Sequence, residues 1–594
     1  MERWWCGHTH AFVTHTRMSA LALGKGIGMR YGITNRLASR RSSAQRFVIC
    51  VFALLALTVA LIPRLSHAAV IDWSSTATTN VWALGLNWVG NTAPANSLNT
   101  DIARFDQTSY LTQPNSGTTS INGIGIGDGT TATATLTLTN TALSIGSSGI
   151  TMFANAGAAT LTGGSVKIGA NENWANNSSS LLTISSAVTN TGNITPFALT
   201  VNGSGSGGTT IGGIISNGGT TGTTALTINT TGGVTTLSGI NTFTGGTTLT
   251  LGTLKLSGSG TLGGTSSTLT VNGGTLDFNG TSQGVGNFAG SGGTILNNST
   301  GTNVTLTIGN GNGTGGNYSG VIADHTSGTG TVALTKTGTG TITLSGANTY
   351  TGTTTVNAGS LFANNTSGSG TGTGTVTVNN TGTFGGGNST AVGGISGAVT
   401  VASGGNLSPG QTGVGSTAIL KTGALTLNSG SNFNVDLNDT TAGTGYDQAS
   451  VAGTLSITGS NLVVTAGSGL SIGNKFFIAL NDGTDLVTGT FSGLANGATV
   501  TASNNADTFL INYLDNGDSG TLGNDISLTC TGVVPEPATY LAGILALGAV
   551  GYHQRRRFAG PRSEVSLPAR RSLTARREDR GQTSEADCER VSEL

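Results

Sequence analysis

The sequence predicts an all-β chain built as a stack of short strands, a parallel β-solenoid. Three observations predict it. First, only 8% of the residues are charged, about a third of the usual share. Between residues 69 and 533 the helix formers Glu, Lys, Gln and Arg are nearly absent. The 98 glycines, with Thr, Ser and Asn, dominate the chain, and these residues favour turns and strands. Second, apolar residues come in pairs separated by one: Leu249/Leu251, Leu254/Leu256, Leu269/Val271, Leu276/Phe278. Period two marks a strand with one face in and one face out. Third, LSGINTFTGGTTLTLGTL at 237–254 returns as LSGANTYTGTTTVNAGSL at 344–361, an ungapped offset of 107 residues. The same offset aligns Leu199-Thr200-Val201 with Leu306-Thr307-Ile308 and Gly213-Ile214-Ile215 with Gly320-Val321-Ile322, with a one-residue slip near Leu226 and Leu334.

Each strand is short and bounded by Gly-Gly, Asn-Gly or Gly-Thr. Strands of this length do not make a stable sheet alone. Stacked as successive rungs they do: Leu, Ile and Val line the inside, Thr, Ser and Asn form ladders outside, and each backbone group pairs with the next rung. A β-sandwich is the alternative arrangement of the same strands.

Charge is uneven along the chain. Residues 69–533 carry six Lys/Arg against sixteen Asp/Glu, while residues 1–68 and 534–594 are net basic. A mildly acidic body has no electrostatic footprint for nucleic acid. The cysteines are Cys6, Cys50, Cys530 and Cys588. With both ends removed only Cys530 would remain, so no disulfide framework is expected.

Both ends read as addresses. Residues 47–62 are an uncharged apolar run preceded by Arg40, Arg41 and Arg46 and followed by Ser66-His67-Ala68. This is the three-part plan of a secretory signal peptide, with cleavage between Ala68 and Ala69; a membrane anchor is the alternative. The leader is long, and Met18 or Met29 would give a more ordinary start. Ser39-Arg40-Arg41 hints at a twin-arginine signal. At the other end, Pro535-Glu536-Pro537 precedes an apolar helix expected from about Ala538 to Tyr552, then Arg555-Arg556-Arg557. This resembles the PEP-CTERM sorting signal; a plain tail anchor is the alternative. An arginine cluster after an apolar segment stays on the cytoplasmic side. The prolines hold the Pro-Glu-Pro motif extended. The resemblance implies cleavage by an exosortase-type membrane protease. Family members usually end just after the arginines, whereas here 37 more residues follow, rich in Arg, Glu and Ser, a disordered composition.

Leu334-Thr335-Lys336-Thr337-Gly338-Thr339-Gly340-Thr341-Ile342-Thr343-Leu344-Ser345-Gly346-Ala347-Asn348-Thr349-Tyr350-Thr351-Gly352 resembles the autotransporter-associated β-strand repeat. The resemblance implies a right-handed parallel β-helix. Trp73, Trp82, Asn87-Trp88, Pro94 and Asp101-Ile102-Ala103-Arg104-Phe105 are similar to the opening of such proteins, and the aromatics suggest a cap over the first rung. Tyr446-Asp447, Thr488-Gly489-Thr490-Phe491, Phe509-Leu510-Ile511-Asn512-Tyr513 and Gly523-Asn524-Asp525-Ile526 are similar to their closing region. The expected organisation is a signal peptide with a basic leader at 1–68, a cap and first β-repeats at 69–198, a repeat-bearing β-helix at 199–410, a C-terminal β-repeat region at 411–533, a sorting signal at 534–557 and a disordered charged tail at 558–594. The alternating strands of a membrane β-barrel are not expected after residue 533.

Candidates for chemistry are sparse. Residues 69–533 hold one Arg, one His and five Lys. An acid–base pair at Asp324/His325 reads better as a surface turn. Asp515-Asn516-Gly517-Asp518 with Asn524-Asp525 is oxygen-rich enough to suggest calcium, but Asp and Asn are equally turn formers; Asp482 and Asp485 are a second, weaker pair. Trp73, Trp82, Trp88 and Trp174 could stack on sugars or pack the core. The many Gly-x-Gly-x-x-Gly matches open no helix, so no cofactor is expected, and no resident metal. The expectation is an exported, non-enzymatic surface or extracellular-matrix protein of a Gram-negative cell. Its expected partners are an exosortase-type protease, the secretion machinery and exopolysaccharide, and it would meet the inner membrane only transiently through its terminal segments. A polysaccharide-binding or polysaccharide-cleaving β-helix is the alternative.

Overall fold

The computed structural model describes residues 68–558 except 193, 314, 388–392, 412–415, 518–522 and 535–536; of residues 537–543, 551 and 556–558 it describes the backbone alone. The chain is an all-β parallel solenoid of about 14 turns. Every strand pairing from Ala69–Asp72 to Lys475–Asn481 is parallel, each strand meeting another one turn away. A sandwich would pair its strands antiparallel, so the solenoid is the arrangement adopted. Turn length varies: Leu269 pairs with Phe288 nineteen residues on, and Ala449 with Ala479 thirty residues on.

Period two fixes what stacks on what. Leu136, Ala159, Leu182, Thr209, Thr235, Leu254, Leu276, Ile295 and Ile322 form one continuous inward ladder. All are buried. Two residues on, Leu138, Leu161, Ile184, Ile211, Leu237 and Leu256 form a second. Each large aliphatic side chain taken from water into such a ladder contributes about 1.5–3 kcal/mol. Between these inward positions, Thr137, Thr160, Thr183, Thr210 and Thr236 form an outward file. A second file on the eight-stranded sheet joins Thr307, Thr335, Thr355, Thr377, Thr400 and Thr426. β-branched residues are at home on such a pleated surface.

Two glycines show why the repeat demands Gly. Gly252 and Gly359, 107 residues apart, both have positive φ (89° and 62°). A Cβ at Gly252 would stand 2.1 Å from Thr230 Oγ1, and one at Gly359 would stand 2.5 Å from Gly338 O. The corner needs both a left-handed backbone and no side chain.

The two ends of the solenoid differ. At the N-terminal end, Trp73, Trp82, Trp88 and Phe105 pack ring on ring with centroids 5.0–6.0 Å apart, and Trp88 Nε1 donates to Trp82 O at 2.7 Å. At the other end the parallel stack gives way to antiparallel strands: Lys475–Asn481 pairs with Asp525–Gly532, which pairs with Thr508–Asp515, which pairs with the three-residue Thr499–Thr501. A short antiparallel edge leaves little unpaired backbone to recruit another chain. Helix among the described residues is confined to two three-residue 3-10 turns and to Pro537–Phe558.

Candidate functional site

The side chains of the repeated motif bind neighbouring turns. Asn241 and Asn348, 107 residues apart, act alike. Each Oδ1 accepts a backbone N–H of the preceding turn, from Ile215 and Ile322 respectively, at 2.8 Å. Each Nδ2 donates to a carbonyl of the following turn, Thr261 O at 2.7 Å and Gly370 O at 2.6 Å. Both asparagines are buried. Asn217 and Asp324 form a second equivalent pair. Asn217 Oδ1 accepts the N–H groups of Thr224 and Thr244, each at 3.0 Å. Asp324 Oδ1 accepts those of Val332 and Thr351 at 2.9 and 3.1 Å, and its Oδ2 accepts the Thr351 hydroxyl at 2.7 Å. Phe243 and Tyr350 fill the core at matching positions, the Tyr350 hydroxyl bonding Thr354 Oγ1 at 2.7 Å. The motif thus closes a three-turn clamp, in which the side chains of Asn241, Asn348, Asn217, Asp324 and Tyr350 all have partners within the fold.

Three buried ionisable side chains, Lys336, Glu172 and Asp447, stand at inward positions. Lys336 occupies the ladder of Val285, Ile308, Val356, Val378, Val401 and Leu427 and is fully buried. Its Nζ donates to Thr337 O, Gly338 O and Ala358 O at 2.7, 2.9 and 3.1 Å. Burial pushes its pKa down to about 8. Glu172 alternates with Trp174 and Asn176 on the inward side of Glu172–Asn176; its Oε2 accepts Trp174 Nε1 at 2.9 Å. Asp447 accepts the backbone N–H groups of Ala418 and Asp436 at 2.8 and 3.0 Å. Burial raises both carboxyls to about 8, against the pull of those hydrogen bonds. A count of parity would have found Lys336 and Glu172: each lies two residues from a core side chain, Leu334 and Trp174.

The candidates read from the sequence fall as follows. His325 is exposed and its Nδ1 lies 3.0 Å from Gly330 O, while Asp324 serves the clamp, so the pair has separate structural partners. Trp174 is fully buried, as are Trp73, Trp82 and Trp88; none can stack on a sugar from solution. Asp515 pairs with Lys475 at 2.5 Å and accepts the Ser527 hydroxyl at 2.5 Å. Asp525 accepts the N–H groups of Asn481 and Gly517 at 2.8 and 2.6 Å. Asn524 Nδ2 donates to Asn481 O and Asp485 O at 3.0 and 3.1 Å, and Asp482 Oδ1 accepts Gly453 N–H at 2.8 Å. Asp518 lies outside the described residues. Asn190 and Asn297 gather carbonyls in the same way, so the asparagine here is a recurring turn device. Among the described residues no group of three or more His, Cys, Asp or Glu is placed to hold a metal. Cys530 is a buried free thiol; Cys6, Cys50 and Cys588 lie outside the described residues.

Of the expected address residues, Ser66, Pro535 and Glu536 lie outside the described residues. Ala69 opens the strand Ala69–Asp72, directly after Ala68. Pro537 begins the helix Pro537–Phe558, which continues through Arg555, Arg556 and Arg557, beyond the expected end at Tyr552. No helix among the described residues is long and apolar enough to cross a membrane.

Residues 230–256 and 334–361 match the passenger-associated-transport-repeat model. The two matched segments contain Gly252 and Gly359, Asn241 and Asn348, and Phe243 and Tyr350, so both matches fall on the clamp, with Asn217 and Asp324 just outside them. This is an autotransporter-associated repeat, as the sequence resemblance implied. The repeats and the solenoid together fit a passenger-domain-like protein, secreted or at the cell surface. The comparison with curated proteins gives no match.

Proposed function

We propose that the protein is a non-enzymatic structural component of a Gram-negative cell surface or extracellular matrix, sorted by a PEP-CTERM/exosortase route and associated with exopolysaccharide. The observation that carries this reading is the passenger-associated repeat set as a rung clamp inside a long solenoid. Its polar side chains are engaged in holding turns, and the outward Thr files offer many weak hydrogen bonds over a long face, which suits avidity to a hydrated polymer. The sorting part rests on the sequence at both ends. A basic, apolar, Ser66-His67-Ala68 order directs export with cleavage before Ala69. Pro535-Glu536-Pro537 ahead of an apolar helix and Arg555-Arg556-Arg557 presents a cleavage motif to an exosortase-type protease during a transient stay at the inner membrane. Winding in the right-handed sense, which the repeat resemblance implies, belongs to the same reading.

Mass spectrometry of the exported protein tests the sorting. The expected termini are Ala69 and a residue near Pro535-Glu536-Pro537. Intact residues 1–46 or 558–594 on the exported chain would refute it. Reducing-sugar release across a polysaccharide panel tests the non-enzymatic role, with no turnover expected; turnover abolished by one Asp substitution would refute it.

A further inference from the structure

The outer face of the first turns carries a groove of about 100 Å³. Its floor is bare backbone. Gly125 pairs with Arg104 on the preceding strand and with Thr151 on the following one, and Gly123 pairs with Gly149 beside them. A Cβ on Gly125 would stand 3.3 Å from Arg104 Cγ and 3.6 Å from the Phe153 ring, so any side chain there would fill the groove. Phe153 forms one wall. It is 36% exposed, the most exposed aromatic ring among the described residues 68–534. Arg104 forms the opposite wall. Asp72 holds its guanidinium on two bonds, Nε to Oδ1 at 2.7 Å and Nη2 to Oδ2 at 2.9 Å, and Asp106 Oδ2 lies 3.2 Å from Nε. Asp128 adds to the field on the same guanidinium. Ser148 and Thr151 add hydroxyls to the lining, and Val70, Ile102 and Ile124 add apolar surface beside Phe153.

Elsewhere on the described solenoid the tryptophans are buried, and the two outward files traced above are threonines. Here an aromatic face, hydroxyls and a cation–carboxylate pair converge. A sugar ring has an apolar C–H face that lies on an aromatic ring and a hydroxyl rim that bonds carboxylates, hydroxyls and guanidinium. Three carboxylates against one guanidinium make the surroundings negative, which repels an anionic sugar and leaves an uncharged one unopposed.

We propose that this groove is a subsite for one neutral hexose residue of a polysaccharide chain, seated on Phe153 over the Gly125 floor with its hydroxyls toward the Arg104–Asp72 pair. This rests on the polysaccharide association proposed above and assigns it a place. The test is calorimetric titration of the full exported chain with β-1,4-linked hexasaccharides of glucose and of mannose and the α-1,4-linked hexasaccharide of galacturonate, beside retention of the chain on the matching polymers. The expected result is saturable binding of a neutral hexasaccharide, at least tenfold weaker binding of galacturonate, and at least a tenfold loss in Phe153→Ala and in Gly125→Val. Phe153→Ala removes a partly exposed ring, and its unfolding midpoint should match the parent; Gly125→Val fills the floor without deleting a contact. No binding of either neutral hexasaccharide, or equal binding by parent and both variants, overturns the groove. Polymer retention that persists in both variants would leave the association standing on another face and the groove refuted. Groove binding without polymer retention would support the groove and refute the association.

Discussion

Replacing Asn348 by Ala should open the clamp of the second repeat from both sides. The asparagine is 3% exposed. Its removal strips the Ile322 N–H of its acceptor at 2.8 Å and the Gly370 carbonyl of its donor at 2.6 Å. A buried backbone group left without a partner costs about 1–3 kcal/mol, so two such groups predict a loss of about 2–6 kcal/mol. Asn348→Asp separates the two halves: it keeps an acceptor for Ile322 N–H and loses the donor to Gly370 O, so its loss should be smaller unless the carboxylate repels that carbonyl. Asn241→Ala should behave as Asn348→Ala does, because Ile215 and Thr261 stand in the same relation to it. Solenoid stability is a sum of turns and nearest-neighbour interfaces, so the damage should be local. Native-state hydrogen exchange is therefore the assay, with urea unfolding for the magnitude. Protection should fall at Ile322 and in Gly359–Ala363 and stay unchanged in Leu136–Met152, many turns away. A loss under about 0.5 kcal/mol, or protection lost evenly along the chain, would refute the idea that the repeated asparagine holds turns together.

The buried ionisable groups predict a stability minimum near pH 8. Glu172 and Asp447 have folded pKa values of about 8 against 4.5 and 3.8 ordinarily; the folded state binds the extra protons, so this stabilisation is present below about pH 4 and is lost as pH rises through 8. Lys336 has a folded value of about 8 against 10.5; its penalty is complete below pH 8 and is relieved as pH rises to 10.5, so stability climbs over that window. Urea midpoints between pH 5 and 10.5 should trace that valley, the rise slowing above pH 9 where the Cys530 thiol, raised by burial, opposes it; Glu172→Gln should about halve the slope of the acid limb, Asp447 keeping the rest, and Lys336→Ile should remove the alkaline rise, and a monotonic parent profile would contradict both assignments. Circular dichroism of residues 69–533 should show β structure with helix well under a tenth of the span, against the roughly one-third typical of globular proteins; a helical spectrum would contradict the period-two reading.

The ladders were legible because parity is a local property. Leu136 and Leu138, or Leu254 and Leu256, declare their face in three residues, and the offset of 107 declares that the turns recur. The clamp was half legible: the repetition of Asn241 at Asn348 was visible, but its partners Ile215 and Thr261 lie 26 and 20 residues away, distances set by turn lengths that vary from nineteen in Leu269–Phe288 to thirty-two in Ala69–Asp101. The groove was not legible at all, since Arg104, Gly125 and Phe153 meet only after three strands stack. Trp174 shows the same limit in reverse. Its type suggested a sugar platform, while its place in Glu172-Asn173-Trp174-Ala175-Asn176, alternating with residues that also point inward, assigns it to the core. In a solenoid the inward position outranks residue type: it buries a lysine or a glutamate as well as a leucine, at a cost that shows in their shifted titration and with hydrogen bonds supplied by nearby groups. Lys336 makes them to three carbonyls, whereas the matching position of the first repeat is Ile228, buried without needing any. The same motif therefore tolerates a cation or an alkyl side chain at one core position, because what the repeat conserves is the geometry of the turn around it.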